Sequence, residues 1–139
     1  NNSTLKILVS PNIGLTKVFD VMNYINQSED SEGNFQFYDT FDQIRVYNTY
    51  QNSDWVTLVY DDTITKRGKD WSLQIPRNAV TVDLEENPDI FSDANLDASK
   101  DYKERMRDKY LFVDFVYQND DGYRFNVPVI ITKYRVSYR

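Results

Sequence analysis

Hydrophobic and polar positions alternate with a period of two over most of this chain, the pattern of half-buried β-strands. β-Branched and aromatic residues fill the apolar positions, as a pleated sheet favours. Over Lys17–Ile25 the apolar residues also fit a helical stripe, so a helix is the alternative to a strand there. The predicted strands cover residues 5–9, 17–25, 35–38, 42–47, 55–60, 70–75, 79–84, 110–117 and 123–138.

Turn residues between these segments predict how some strands connect. Asn52-Ser53-Asp54 predicts a turn after which strand 55–60 returns along strand 42–47. Asn119-Asp120-Asp121-Gly122 predicts a hairpin between the last two strands, because Gly, Asn and Asp tolerate the positive φ of tight turns. Pro76 should end a strand, and Pro128 should mark a bulge or a sheet edge, since proline cannot donate to a ladder.

An acid-rich segment, residues 85–108, interrupts the strand pattern. It contains Pro88 and few β-branched residues, and Asp97 is suited to cap a short helix over residues 98–107. The predicted fold is therefore all-β: an antiparallel β-sandwich or twisted sheet with one acidic loop and short-helix insertion. A length of 139 residues suits one domain, so we expect a single β-rich domain over residues 1–139.

The amino-acid composition excludes several kinds of catalytic and metal-binding site. The chain has no histidine and no cysteine, but 11 Tyr, 8 Phe and 2 Trp. This excludes Ser-His and Cys-His triads, disulfides, Cys/His zinc sites and haem ligation by His or Cys. The net charge of −6 argues against direct nucleic-acid binding, and the basic clusters at 66–69 and 103–109 are interpreted as solvated faces. Nor is there an apolar stretch near the ~20 residues of a membrane helix.

One segment approaches a metal-binding motif. Asp93, Asn95, Asp97, Asp101 and Glu104 occupy positions 1, 3, 5, 9 and 12 of an EF-hand calcium loop. Position 6, which needs glycine, is Ala98, and the apolar position 8 is Lys100. We therefore favour an acidic loop entering a short helix and assign no metal-binding residue, with calcium binding by Asp93–Glu104 as the alternative.

Paired acids and paired tryptophans are the other candidates. Asp61-Asp62, Glu85-Glu86 and Asp120-Asp121 resemble a two-carboxylate site, but neighbouring strand residues point to opposite faces. Trp55 and Trp71 each alternate with apolar residues, which favours a place in the core or at a subunit interface over a sugar-binding platform. No catalytic or cofactor-binding residue is assigned, and no enzyme activity is expected.

Four stretches carry a resemblance to a known family: residues 45–60, 71–77, 103–114 and the ending 127–139. Together they resemble the C-terminal region of a large virion tail protein, of muzzle type, of crAss-like bacteriophages. The resemblance implies a non-enzymatic structural component at the tail end of the virion. It also implies a multimeric ring, with copies of the chain and other phage tail proteins as partners. Since the chain starts at Asn1 without Met, we expect it to be the C-terminal fragment of a longer polypeptide.

A second hypothesis belongs to another functional class. Exposed Tyr and Trp rings would suit a cell-surface or phage-borne carbohydrate-recognition module, with a host glycan as ligand. An enzyme is a distant third, because it needs an Asp/Glu pair brought together only by the fold.

Overall fold

The computed structural model describes residues 2–10, 15–79, 81–83, 101–118 and 121–136, and within them the chain is all-β without a helix. Alternating apolar residues build most of these strands, as expected. The strands are β1 (Asn2–Val9), β2 (Lys17–Glu29), β3 (Gln43–Tyr47), β4 (Val56–Thr57), β5 (Ile64–Arg67), β6 (Asp70–Gln74), β7 (Thr81–Asp83), β8 (Asp101–Lys103), β9 (Arg107–Asp108), β10 (Leu111–Gln118) and β11 (Arg124–Val136).

The strands form two main antiparallel sheets. The first sheet has the order β1-β10-β3-β4. The second has the order β11-β2-β6-β5, and β9 pairs with the start of β2. A separate two-stranded sheet joins β7 and β8. The predicted all-β antiparallel fold is confirmed, and the helix considered for Lys17–Ile25 is wrong because this segment lies within β2.

The core lies between the two main sheets. From the first sheet, the alternate residues Val113, Phe115 and Tyr117 of β10 point inward. From the second sheet, Tyr24 and Trp71 meet them, and the rings of Tyr24 and Phe115 lie 5.7 Å apart. Burying each side chain of this size stabilises the fold by roughly 1.5–3 kcal/mol, so these inward rows are the main reason why the sheets stack.

The hairpin predicted at Asn119–Gly122 is wrong. β10 lies in the first sheet between β1 and β3, whereas β11 pairs with β2 in the second sheet. Gly122 has the predicted positive φ of 69°, but the strands on either side of it belong to different sheets. Both sides of β10 are already paired, and this tertiary pairing overrides the local turn signal. Residues 119 and 120 lie outside the described residues.

The short helix predicted over residues 98–107 is also wrong where the chain is described. Asp101–Lys103 form β8, and Arg107 starts β9 on the edge of β2. Met106 between them is fully buried, and its carbonyl accepts a 3.0 Å hydrogen bond from the Phe19 amide. Packing of Met106 into the core therefore outweighs the helical capping signal. Residues 84–100, and with them most of the predicted acidic insertion, lie outside the described residues.

Other local predictions had mixed outcomes. β4 returns antiparallel to β3 as predicted, and Pro128 lies at an irregularity between Asn126 and Val129 on the edge strand β11. Residues 35–38 do not form a strand: Phe35 makes a single bridge with Glu29, and Phe37 and Tyr38 lie in a turn. β5 was missed, because its basic residues were interpreted as a solvated cluster. Its hairpin with β6 turns at Gly68, whose φ is +61°.

Candidate interaction surfaces

No metal site is evident in the part of the chain that the structure describes. No group of three or more acidic side chains able to hold a metal ion occurs among these residues, and they include no helix long and apolar enough to cross a membrane. Asp61 and Asp62 are exposed in the turn between β4 and β5. Glu85-Glu86, Asp120 and most of Asp93–Glu104 lie outside the described residues, so calcium binding there stays an alternative.

An acidic depression of about 470 Å³ lies where the turn after β2 faces the start of β11. Its lining includes Glu29, Asp30, Glu32 and Arg124. The Asp30 carboxylate accepts the backbone amides of Asn34 and Glu32, both at 2.9 Å. These hydrogen bonds, chiefly the one from Asn34, hold the pKa of Asp30 below its usual value. Asp30 thus stabilises its own turn, which accounts for its place there.

The segment of residues 35–41, the aromatic loop, is fixed to the core at one end and exposed at the other. Phe41 is buried and stacks on Phe115 at 4.2 Å between ring centroids. The Tyr24 and Thr40 hydroxyls are 2.6 Å apart, within hydrogen-bond distance. Asp39 accepts hydrogen bonds from the hydroxyls of Ser28 and Tyr117. The loop is therefore held by partners from both sheets, and its backbone adds a 2.8 Å hydrogen bond from the Gln36 amide to the Ser28 carbonyl.

The exposed end of this loop carries Phe37 and Tyr38, which are 67% and 71% exposed. Lys66 reaches the same place from β5: its Nζ lies 5.5 Å and 5.4 Å from these two ring centroids and 4.8 Å from that of Trp71. Lys66 also donates a hydrogen bond to the Phe37 carbonyl. Partial burial among the rings lowers the pKa of Lys66. The lysine thus fixes the loop through cation–π contacts.

A second aromatic surface covers the outside of the first sheet, and we call Leu8, Tyr47, Trp55 and Phe112 the outer aromatic face. Leu8, Phe112 and Tyr47 are direct cross-strand neighbours, and the rings of Tyr47 and Phe112 stack at 5.2 Å. Trp55 is 41% exposed and Leu8 is 57% exposed. Large apolar side chains left on the outside of a sheet, next to tyrosine and arginine, are typical of protein interfaces.

Arg45 orders this outer aromatic face. Its guanidinium lies 4.6 Å from the Trp55 ring and 5.3 Å from the Tyr47 ring, and donates a 2.6 Å hydrogen bond to the Asp114 carboxylate. Asp114 is almost fully buried, although its neighbours on the same face are half exposed. A buried carboxylate needs a partner, so this ion pair also fixes the position of the arginine between the two rings.

The two tryptophans that sequence reasoning treated alike have different environments. Trp71 on β6 is 1% exposed and belongs to the core, as predicted. The core alternative for Trp55 is wrong, because Trp55 lies on the solvent side of the first sheet beside Arg45. Its alternation with Thr57 and Val59 does not reveal which side of a sheet is covered. The other alternative for Trp55, a subunit interface, is compatible with this position.

Sequence reasoning missed the aromatic loop and the Arg45–Asp114 pair. Residues 35–38 were interpreted as a strand because aromatic residues alternate there. The signal against a strand was the polar pair Asp39-Thr40, which binds partners in β2 and β10. No local signal links Arg45 to Asp114, since 69 residues separate them and only the pairing of β3 with β10 brings them together.

The fold and these surfaces identify the chain as an antiparallel two-sheet β protein that exposes ordered aromatic side chains. Comparison with protein families then gives a match to the crassvirus muzzle protein C-terminal domain over residues 1–78. This is more than half of the chain and includes β1 to β6. The chain therefore belongs to the crassvirus muzzle protein C-terminal domain family, which makes it a phage structural component and part of the virion. No match was found among curated proteins.

Proposed function

We propose that this chain is a non-enzymatic building block of the phage tail end, where copies of it associate into a multimeric ring. The observation that supports this most directly is the outer aromatic face. It includes Trp55 and Tyr47, and Arg45 lies against both rings; Trp, Tyr and Arg are the residue types that contribute most to protein interfaces. Because the Asp114 ion pair and cross-strand stacking hold these side chains, little conformational entropy would be lost on association.

The proposed role is mechanical. Copies of the chain, and other tail proteins, pack through the aromatic surfaces, while the net charge of −6 opposes premature association in solution. The same negative charge would repel DNA that passes through the tail, so the genome would move past the chain without being bound. No catalytic group is required for this role.

Labelling of intact particles tests the proposed location. Antibodies against this chain, bound to purified phage and imaged by electron microscopy, should mark the tail end in several copies per particle. A label on the capsid, or no label on particles in which the epitope is accessible, would contradict the proposed location. Denatured particles probed with the same antibody provide the control for epitope access.

Carbohydrate recognition is the second candidate, and the aromatic loop favours it. Phe37 and Tyr38 are highly exposed rings in a loop whose other end is fixed in the core. Aromatic faces of this kind stack on the apolar faces of sugars, and a fixed loop would preorganise them. Binding of the chain to a broad glycan panel, lost in Tyr38→Ala but kept in Tyr123→Ala, would support it. A panel without any binding would dismiss it.

A further inference from the structure

The four strands that end the two main sheets differ in how their outer edges are protected. Sheets are kept from pairing with other chains by short edge strands, charges, prolines and bulges. β4 is only two residues long, β5 carries Lys66 and Arg67, and β11 has Pro128 and two register irregularities. β1 has one charge, Lys6, and its eight residues pair with β10 without an irregularity. β1 is therefore the least protected edge of the two main sheets.

The outer edge of β1 is open in the part of the chain that the structure describes, because β1 ends the first sheet and β10 lies on its other side. An edge strand presents a row of N–H and C=O groups without ladder partners. These groups can bind the backbone of another extended segment, whose alternate side chains then determine specificity. The partner that fits this edge is therefore a β-strand.

The side chains of β1 that face the second sheet are incompletely covered. Leu5, Ile7 and Val9 pack against the core but are only half-buried. On the neighbouring strand β10, every second residue from Leu111 to Tyr117 is buried. A strand added outside β1 would cover this row with its own inward side chains, so it needs apolar residues at alternate positions.

The sequence of β1 itself meets this requirement. Its inward row, Leu5, Ile7 and Val9, is centred on Ile7. A second β1 that runs antiparallel about this centre would place Ile7 opposite the partner's Ile7, and Leu5 opposite the partner's Val9. On the outer face, Lys6 would lie opposite the partner's Leu8, whereas a pair centred on Lys6 would bring two lysines together. Leu8 is 57% exposed, so this register also covers exposed apolar surface.

We propose that two copies of this chain pair through their β1 strands, antiparallel and centred on Ile7, so that their first sheets become one continuous sheet. Both copies use the same surface, so the contact is isologous and joins copies in pairs. The inference goes beyond the proposed ring, because a ring needs a second, separate contact. Pairing uses the edge of the first sheet and leaves the outer aromatic face free for that contact.

Disulfide cross-linking tests the contact, because the chain has no cysteine of its own. Opposite residues of antiparallel strands have Cα atoms about 4.5–5.5 Å apart, within the range of about 4.4–6.8 Å in which disulfides form. A mixture of Lys6→Cys and Leu8→Cys under mild oxidation should give the mixed dimer in about tenfold excess over either homodimer, as measured by mass spectrometry. Ile7→Cys alone should give a homodimer, since Ile7 lies on the two-fold axis of the pair.

Two changes at Leu8 test the same register without a cross-link. Leu8→Lys and Leu8→Glu remove the same apolar side chain, but they place opposite charges beside the partner's Lys6. Like charges directly opposite on neighbouring strands destabilise the pair, and opposite charges stabilise it. Sedimentation should therefore show self-association at least tenfold weaker in Leu8→Lys than in Leu8→Glu. Equal association of the two variants would contradict the register.

Controls separate this inference from the proposed function. Ile131→Cys on the protected edge strand β11 is the matched control, because Ile131 is 53% exposed, and it should give no cross-linked dimer. Thermal melting of the reduced variants shows whether they are folded; if Ile7→Cys is not, the two exposed variants, Lys6→Cys and Leu8→Cys, decide. A mixed dimer no more abundant than the homodimers or the Ile131→Cys product would overturn the pairing. A wild type that stays monomeric would also overturn it. The ring proposal stands in either case, because its test is the copy number in phage particles.

Discussion

At the scale of single residues, the ion pair between Arg45 and Asp114 connects stability with the proposed contact surface. Asp114 lies on the outer side of β10, yet its side chain is only 2% exposed because Arg45 lies over it. Lys6 on β1 is the cross-strand neighbour on the other side. The carboxylate is thus surrounded by cations and rings, and its environment depends on one guanidinium.

Replacing Arg45 tests this dependence. Arg45→Ala should lower the free energy of unfolding by about 2–3 kcal/mol, because it leaves a buried carboxylate without its partner; the arginine is itself about one-third exposed, which reduces the loss. Arg45→Lys keeps the charge but not the planar stacking on Trp55, so an intermediate loss is expected. Urea unfolding measures both. A loss below about 0.5 kcal/mol for Arg45→Ala would refute a stabilising role of the pair.

Two buried tyrosines, Tyr24 and Tyr117, should make the fold less stable at high pH. Burial raises the pKa of Tyr24 and of Tyr117, and the hydrogen bond from Tyr117 to Asp39 raises the latter further. Above pH ~10 the unfolded chain loses phenolic protons that the folded chain keeps, so unfolding becomes easier as the pH rises. Burial lowers the pKa of Lys17, so this group makes the fold more stable as the pH rises, opposite to the tyrosines. The effect of Lys17 ends near the ordinary lysine pKa of 10.5, above which the unfolded chain has also lost the proton.

Unfolding should therefore be measured above pH ~10.5, where ionisation of the tyrosines determines how the stability changes with pH. The denaturation midpoint of the wild type should fall between pH ~10.5 and ~12, and it should fall less steeply in Tyr24→Phe. At pH 7 the same variant should lose about 1 kcal/mol for the hydrogen bond to Thr40. Equal slopes for wild type and variant would contradict the assignment of Tyr24.

At the scale of elements, the aromatic loop shows how an irregular segment acquires one conformation. It has no ladder partner beyond a single bridge between Glu29 and Phe35. Its order comes from Phe41 in the core and from the side chains of Asp39 and Thr40. The exposed rings Phe37 and Tyr38 are consequences of this arrangement rather than contributors to the core.

Two substitutions separate the two ends of this loop. Phe41→Ala should cost about 3–5 kcal/mol, because it removes a buried ring that packs on Phe115 and Phe125. Phe37→Ala, which removes an exposed ring, should change the free energy of unfolding by less than about 0.5 kcal/mol. Chemical denaturation compares them. Similar losses for both variants would contradict the division into a fixed and an exposed end.

The strands differ in how well the sequence alone predicts them. β1, β3 and β6 were predictable because apolar and polar residues alternate along them, and β10 was predictable because it is a short run of β-branched and aromatic residues. β5 was not, since two of its residues are cations on an edge strand, where solvent is available. The β10–β11 hairpin was predicted wrongly because turn residues specify a turn but not the sheet that the next strand joins.

At the scale of the whole molecule, sequence reasoning reached the family and the fold class but not the surfaces. Family membership rests on residues 1–78, and the all-β class rests on alternation along the chain. The outer aromatic face combines residues from β1, β3 and β10 with Trp55. Only tertiary pairing brings these together, so the Trp55 side chain could not be placed on the surface before the fold was available.

Trp55→Ala tests whether that face contributes to assembly rather than to folding. Trp55 is 41% exposed and its ring lies against the Arg45 guanidinium, so the free energy of unfolding should fall by only about 1 kcal/mol. Assembly should be weakened at least tenfold, as for the central residue of an interface. Trp71→Ala, a core change, should instead cost about 3–5 kcal/mol. A Trp55→Ala variant that assembles fully would remove the outer aromatic face from the proposed interface.

The ring proposal is tested most directly by the native mass and chain composition of the complex that contains this chain in purified phage particles. Gentle dissociation of the particles followed by native mass spectrometry should give one discrete complex with several copies of the chain and a fixed copy number. Other tail proteins should be retained in it. A chain released only as a monomer, or in complexes without a fixed copy number, would contradict the proposed ring.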